Sequence, residues 1–190
     1  MKKILCILLL LLTGCSSKTS MIEIQKHVYV EKEFKDSWLE TNEFGDSYIK
    51  EELQGGYHYH FDQQFLEIFF NTGGKIELFN YSIKKNDLII SGEMIPPKTI
   101  RLVHPHLDNV TSEGVIIHEL GHYFDEKHQF SSSKQFTKLY KKYRTLFNQK
   151  TKKEYFAECF KEYVGGHQEK VKPFHSYMKT ITQKIRQKNK

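Results

Sequence analysis

Apolar and polar positions partly alternate over residues 21–34. Ile22 and Ile24 form one pair and Val28 and Val30 another, which predicts a strand from Met21 to Phe34. Residues 35–56 mix charged positions with Trp38, Phe44, Tyr48 and Leu53, a helical spacing that stops at Gly55-Gly56. Tyr57 to Phe70 places Phe61, Phe65, Ile68 and Phe69 at helical intervals before Asn71-Thr72-Gly73-Gly74. Two short strands follow, Lys75–Phe79 and Asp87–Ile90, joined by a polar turn around Lys84 to Asn86. Pro96-Pro97 breaks the pattern, and an alternating strand resumes over Lys98–Val103. Helical periods then dominate: about Ser112 to Lys127, Lys134 to Phe147 after the Ser131–Ser133 cap signal, and Thr151 to Val164 before Gly165-Gly166. Pro173 opens a final helix that runs into a basic tail. A little strand followed by several helices is an α+β pattern, a small mixed sheet packed on a mainly helical domain.

The helix from Ser112 carries the densest chemistry. Val115-Ile116-Ile117-His118-Glu119-Leu120-Gly121-His122-Tyr123-Phe124 sets H-E-x-x-H in an apolar frame whose only charge is Glu119. Residues four apart share a helix face, so His118 and His122 can offer two imidazole nitrogens to one metal ion. Glu119, next round the helix, is placed to take a proton from the attacking water. Gly121 is expected to leave the helix surface open on one side, at some cost in helix propensity. Two neutral imidazoles, a carboxylate and an open fourth position suit one zinc ion per chain. The bland alternative is a helix whose histidines only pack against the core.

The first residues form a separate unit. A basic start, Met1-Lys2-Lys3, precedes an apolar run from Ile4 to Leu12 that is too short to span a bilayer and has the form of a signal peptide. Leu12-Thr13-Gly14-Cys15 resembles the bacterial lipoprotein box, which implies cleavage after residue 14 and lipid on Cys15. The expected organisation is a signal at 1–14, the lipidated cysteine and a polar tether at 15–20, and one domain over 21–190. Such a protein is extracytoplasmic and anchored to the bacterial cell membrane. Removing the first 14 of 190 residues takes away Lys2 and Lys3, so the formal charge falls from +6 to +4. Cys6 leaves with the signal and Cys15 carries lipid, so Cys159 has no disulfide partner and reads as a small core residue. Export argues against nucleic acid as a partner of the basic helices, and the chain is expected to act as a monomer.

A third ligand is expected on the helix from Thr151. Glu154 and Glu158 lie four apart, flanked by the apolar Ala157 and Phe160. Thr151-Lys152-Lys153-Glu154 also fits a capping box, so Glu154 has two candidate roles, and Glu158 is the alternative ligand. His118-Glu119-Leu120-Gly121-His122 followed by Glu154-Tyr155-Phe156-Ala157-Glu158-Cys159-Phe160 resembles the anthrax lethal factor catalytic domain and the secreted Pro-Pro endopeptidases. The resemblance implies a zincin-like metallopeptidase fold, a peptide or protein substrate, His118, His122 and Glu154 as zinc ligands, Glu119 as general base and Glu158 behind a ligand. It also implies a tyrosine seven residues before Glu154, whose hydroxyl steadies the developing oxyanion. Phe147 occupies that position, so Tyr143, or Tyr140 a turn further back, is the candidate replacement. Loss of such a donor costs about 3–4 kcal/mol of transition-state stabilisation.

Other histidines are weaker candidates. His58 and His60 face together only on a strand, and His104 and His106 bracket Pro105 where a cleft could form. His128, His167 and His175 read as surface residues. Beside a peptidase, the pattern admits a non-catalytic zinc-binding surface lipoprotein or, with ten histidines in the chain, a zinc scavenger.

Overall fold

The computed structural model describes residues 20–41, 47–85, 88–104, 114–149 and 151–188. Cys15 and His106 lie outside the described residues, as does the Ser112 helix start.

The first predicted strand is a hairpin. Strand β1 (Met21–Gln25) turns at His27, whose φ is +68°, into antiparallel β2 (Val28–Glu31). Two short helices, α1 (Lys35–Leu39) and α2 (Tyr48–Gln54), replace the single helix expected over 35–56. The expected stop is nevertheless in place, because Gly55 closes α2 in the left-handed conformation. Helix α3 (Gln64–Asn71) starts later than predicted, since His60 N–H donates to the Gly165 carbonyl and holds the preceding segment off any helix.

Strand β3 (Lys75–Phe79) is followed by the two-stranded unit of β4 (Ile83–Lys85) and β5 (Leu88–Ile90). Strand β6 (Gly92–Ile95), absent from the sequence expectation, leads into β7 (Thr99–Val103). The main sheet has the order β1-β2-β3-β7-β6, with β3 parallel to both neighbours and the outer pairs antiparallel. It is a mixed sheet because β2 to β3 and β3 to β7 are crossovers, whereas β6 and β7 form a hairpin.

Register explains which face is buried. Val28, Ile76 and Ile100 align across the central strands, as do Val30, Leu78 and Leu102, and all six are buried. The intervening positions face solvent, where Arg101 bonds Glu77 and Glu93 across three strands. Against the apolar face lies α4 (Val115–His128), with Ile116, Ile117, Leu120 and Phe124 fully buried. Burying side chains of this size contributes roughly 1.5–3 kcal/mol each. Phe65 of α3, Phe124 of α4 and Phe160 of α6 (Lys152–Val164) meet as a triangle of rings, centroids 5.4 to 5.9 Å apart.

Helix α5 (Lys134–Tyr143) is capped by Ser133, whose hydroxyl accepts from Phe136 N–H. It stops before the predicted Phe147. Thr151 caps α6 through Glu154 N–H, a 3-10 segment spans Gln168–Phe174, and α7 (His175–Gln187) completes the order. One continuous cluster of buried residues runs from Val28 to Ile185, an α+β arrangement. Among the described residues no helix is long and apolar enough to cross a membrane.

Candidate metal centre

The two motifs meet because α4 and α6 pack with almost no side chain between them. A methyl on Gly121 would fall 2.9 Å from Ala157 Cα and 3.2 Å from both the Ala157 carbonyl oxygen and Phe160 Cβ. Gly121 therefore does not leave the helix surface open; α6 fills the space. The small residues Gly121 and Ala157 set the closest approach, and the histidines of α4 and the glutamates of α6 face one another beside it.

His118 Nε2 and His122 Nε2 lie 3.2 Å apart, and Glu154 Oε2 is 3.3 and 3.2 Å from them. Such a triangle has a centre about 1.9 Å from each corner, near the 2.0–2.2 Å typical of metal bonds to imidazole and carboxylate. Among the described residues, His118, His122 and Glu154 form the group that could hold a metal ion. Three acceptors facing one point need protons or a cation between them. Burial works against a charged His118, yet hydrogen bonds to Glu154 and Glu158 raise it to about 9. Hydrogen bonds with His118 and then His122 hold Glu154 well below the usual carboxylate range. The cluster thus has an electrostatic demand for positive charge, which a metal ion meets.

Only the Thr151 half of the expected capping box is formed. The Glu154 backbone N–H donates to the Thr151 hydroxyl at 3.2 Å, while its carboxylate turns to the histidines. Glu158 stands behind the cluster, with Oε2 3.2 Å from His118 Nδ1. It fixes that ring so that Nε2 faces His122 and Glu154.

Glu119 is 6 % exposed, and burial pushes its carboxyl up despite the opposing pull of His118 and His122. Its hydrogen-bond donor is the backbone N–H of Met94 on β6. A cleft of about 300 Å3 opens here, walled by Ile89 to Gly92, Gly114, Val115, His118, Glu119 and Lys161. A larger cavity of about 360 Å3 near the end of α6 is lined by Asp62, Tyr163 and Arg186 among others, and contains no residue of the metal cluster. Chemistry therefore locates the site in the smaller cleft.

The candidate replacement donor, Tyr143, has its own packing partners. The Tyr143 ring packs on Phe174 at 6.1 Å, and its carbonyl accepts from the Tyr155 hydroxyl. Tyr140 and Phe147 pack on the Tyr155 ring at 5.2 and 5.3 Å. Tyr143, Tyr140 and Phe147 are not among the described residues that wall the cleft.

His104 is buried, held between the rings of Trp38 and Tyr48 with Nε2 3.1 Å from the Ser37 carbonyl, and does not line the cleft. His60 sits beside Gly166, apart from the metal cluster. His167 is no plain surface residue, because Nδ1 lies 3.0 Å from Glu162 and the ring packs on Tyr59. Cys159 is fully buried and free, with burial pushing its thiol up, as suits a core residue.

Sequence reasoning missed β6 and Lys161. The pair Glu158/Lys161, three apart on one helix, was the available signal for the second. No family model matches the chain, and no curated protein matches it.

Proposed function

We propose that the chain is an exported, lipid-anchored zinc metalloendopeptidase with a zincin-like fold. It hydrolyses a peptide bond in an extracellular protein or peptide. The observation that carries this is the convergence of His118, His122 and Glu154 on one point, with the buried Glu119 beside it in an open cleft. Two imidazoles and one carboxylate leave coordination positions free, the donor set of catalytic rather than structural zinc. Bound there, zinc supplies Lewis acidity that polarises a carbonyl and acidifies water.

The chain's own residues do the rest. Glu119, with its carboxyl raised by burial, takes the proton of the attacking water and passes it to the leaving amine. The Met94 N–H holds that carboxylate in place, and Glu158 holds His118. Strand β6 is the edge of the sheet and borders the cleft, so an extended peptide adds along it as a further strand. Lipid on Cys15 keeps the enzyme at the membrane surface.

A second reading, a non-catalytic zinc-binding surface lipoprotein, is favoured by one observation. Phe147 stands where the resembling enzymes carry the oxyanion tyrosine, and Tyr143 packs on Phe174. Turnover of a diverse peptide library by the full-length protein, with zinc content measured in parallel, separates the two. Cleavage that disappears in Glu119→Ala while one zinc per chain remains supports the peptidase. Bound zinc without cleavage supports the second reading, and no bound zinc sinks both.

A further inference from the structure

Helix α6 buries more charge than its one proposed ligand, Glu154, and one supporting carboxylate, Glu158, require. Lys161 and Glu162 are 16 % and 5 % exposed in their side chains, although neither is needed to hold a metal. Charges this buried persist only when paired, since desolvation costs several kcal/mol per ion. Their partners define a chain of contacts that starts at the metal centre. His118 Nδ1 lies 3.2 Å from Glu158 Oε2, and the other oxygen, Oε1, is 2.7 Å from Lys161 Nζ. Lys161 Nζ is 3.7 Å from Glu162 Oε1, which accepts from the Tyr59 hydroxyl at 3.0 Å. Glu162 Oε2 in turn lies 3.0 Å from both His167 Nδ1 and Lys170 Nζ.

We propose that Lys161 is a positioning residue of the metal centre, its ammonium anchoring one oxygen of Glu158 so that the other fixes the His118 imidazole. This rests on the zinc site proposed above. Each Glu158 oxygen then has one partner, and the carboxylate cannot rotate without losing both. The ammonium cannot readily swing away. Its stem passes the start of α4, where a methyl on Gly114 would come within 2.9 Å of Lys161 Cδ and 3.0 Å of the Tyr59 ring. Gly114 has φ of +71°, so both conformation and space exclude a side chain there. On its other flank Lys161 is held by Glu162, itself tied to the Tyr59 segment and to His167.

Lys161 also borders the cleft, which raises the alternative that it binds an anionic group of the substrate. Its ammonium is already taken by Glu158 Oε1 at 2.7 Å and flanked by Glu162 Oε1 at 3.7 Å, so an anionic group would have to displace a carboxylate to reach it. A carboxylate–histidine–metal relay, by contrast, needs its carboxylate ionised and fixed, and a buried lysine does both.

The test is zinc affinity of the full-length protein by competition with a chromophoric chelator, which needs no catalytic turnover. Lys161→Met is expected to weaken zinc binding by about 10- to 100-fold, the range for partners behind a ligand, and Lys161→Arg by less than about threefold. In a Glu158→Gln background, Lys161→Met is expected to add less than about twofold, because the route through Glu158 is already cut. If Lys161→Met fails to fold, Lys161→Gln takes its place with the same tenfold threshold. A dissociation constant within twofold of wild type overturns the proposal, as does an equal loss in both backgrounds. Wild-type protein that binds no zinc overturns the proposed function and this inference together, a result distinct from either of those.

Discussion

Replacing Gly121 by alanine tests whether contact between α4 and α6, beyond the identity of the ligands, sets the metal centre. The new methyl would lie 2.9 Å from Ala157 Cα and 3.2 Å from Phe160 Cβ. Carbon atoms rest at roughly 3.5–4.0 Å, so the helices must part locally by about 0.6–1 Å. Overpacking of this kind costs about 1–3 kcal/mol. Against that, alanine is favoured over glycine inside a helix by about 1 kcal/mol. The net expectation is a metal-free protein between unchanged and about 2 kcal/mol less stable. The effect on the metal is larger in proportion. His118 and His122 ride on α4 and Glu154 on α6, so the same separation stretches their 3.2 and 3.3 Å contacts. Metal sites tolerate about 0.2 Å in ligand distance, so zinc affinity is expected to fall at least about tenfold. Urea unfolding of the metal-free protein and chelator competition measure the two effects separately. A Gly121→Ala protein that is more stable than wild type and binds zinc as tightly would refute the reasoning. Gly121→Val should exaggerate both losses.

In the metal-free protein His118 is raised to about 9, so at pH 7 it carries a proton that zinc must displace. Zinc affinity should therefore rise about tenfold per pH unit from 7 and level off near 9, and calorimetry in buffers of different ionisation enthalpy should detect the released proton. A raised folded-state value stabilises below the unfolded value of 6.5, so the metal-free protein should lose stability as pH rises through 9, while the zinc-loaded protein does not. Thermal unfolding of the two forms across that window checks the sign. Asp125 accepts from both the backbone N–H and the hydroxyl of Ser131 at 2.6 Å, closing the turn after α4. Asp125→Ala should cost about 2–3 kcal/mol in urea unfolding, because it leaves those donors buried and unpaired.

What was legible in the sequence was local. The α4 period, the Thr151 cap, the glycine stops at Gly55 and Gly165, and strands β3 and β7 all follow from neighbours within about four residues. What failed was decided at a distance. The β1–β2 turn passes through His27 at φ +68° without a glycine or proline to mark it. Strand β6 has four half-buried residues and no alternation, so its place beside Glu119 comes from pairing with β7. The α5 pattern continues past Tyr143, but that carbonyl accepts from the Tyr155 hydroxyl and the chain turns away. Gly121 looked like open surface because nothing near it in sequence shows that Ala157 will lie against it.

The candidate site divides along the same line. Each half of the cluster is an i,i+4 statement on one helix, His118 with His122 and Glu154 with Glu158 behind it, so both halves could be read before their meeting was known. Glu154 could be read in two ways because its backbone and its carboxylate have different partners. As the third residue of α6 it gives its N–H to Thr151, and that first-turn position also favours an ionised carboxylate through the helix dipole. The groups that orient Glu119 and back Lys161 are contributed by tertiary contacts. Met94 reaches Glu119 from the sheet edge, and Tyr59 and His167 hold Glu162 beside Lys161. In the proposed enzyme, a metal-binding pair on one helix requires only that helix, whereas a fixed proton acceptor and a fixed imidazole require the sheet, α6 and the segment before α3 to be in place. It follows that damage to the Tyr59 segment should loosen the metal centre without touching a ligand, and that the H-E-x-x-H helix alone should bind zinc weakly.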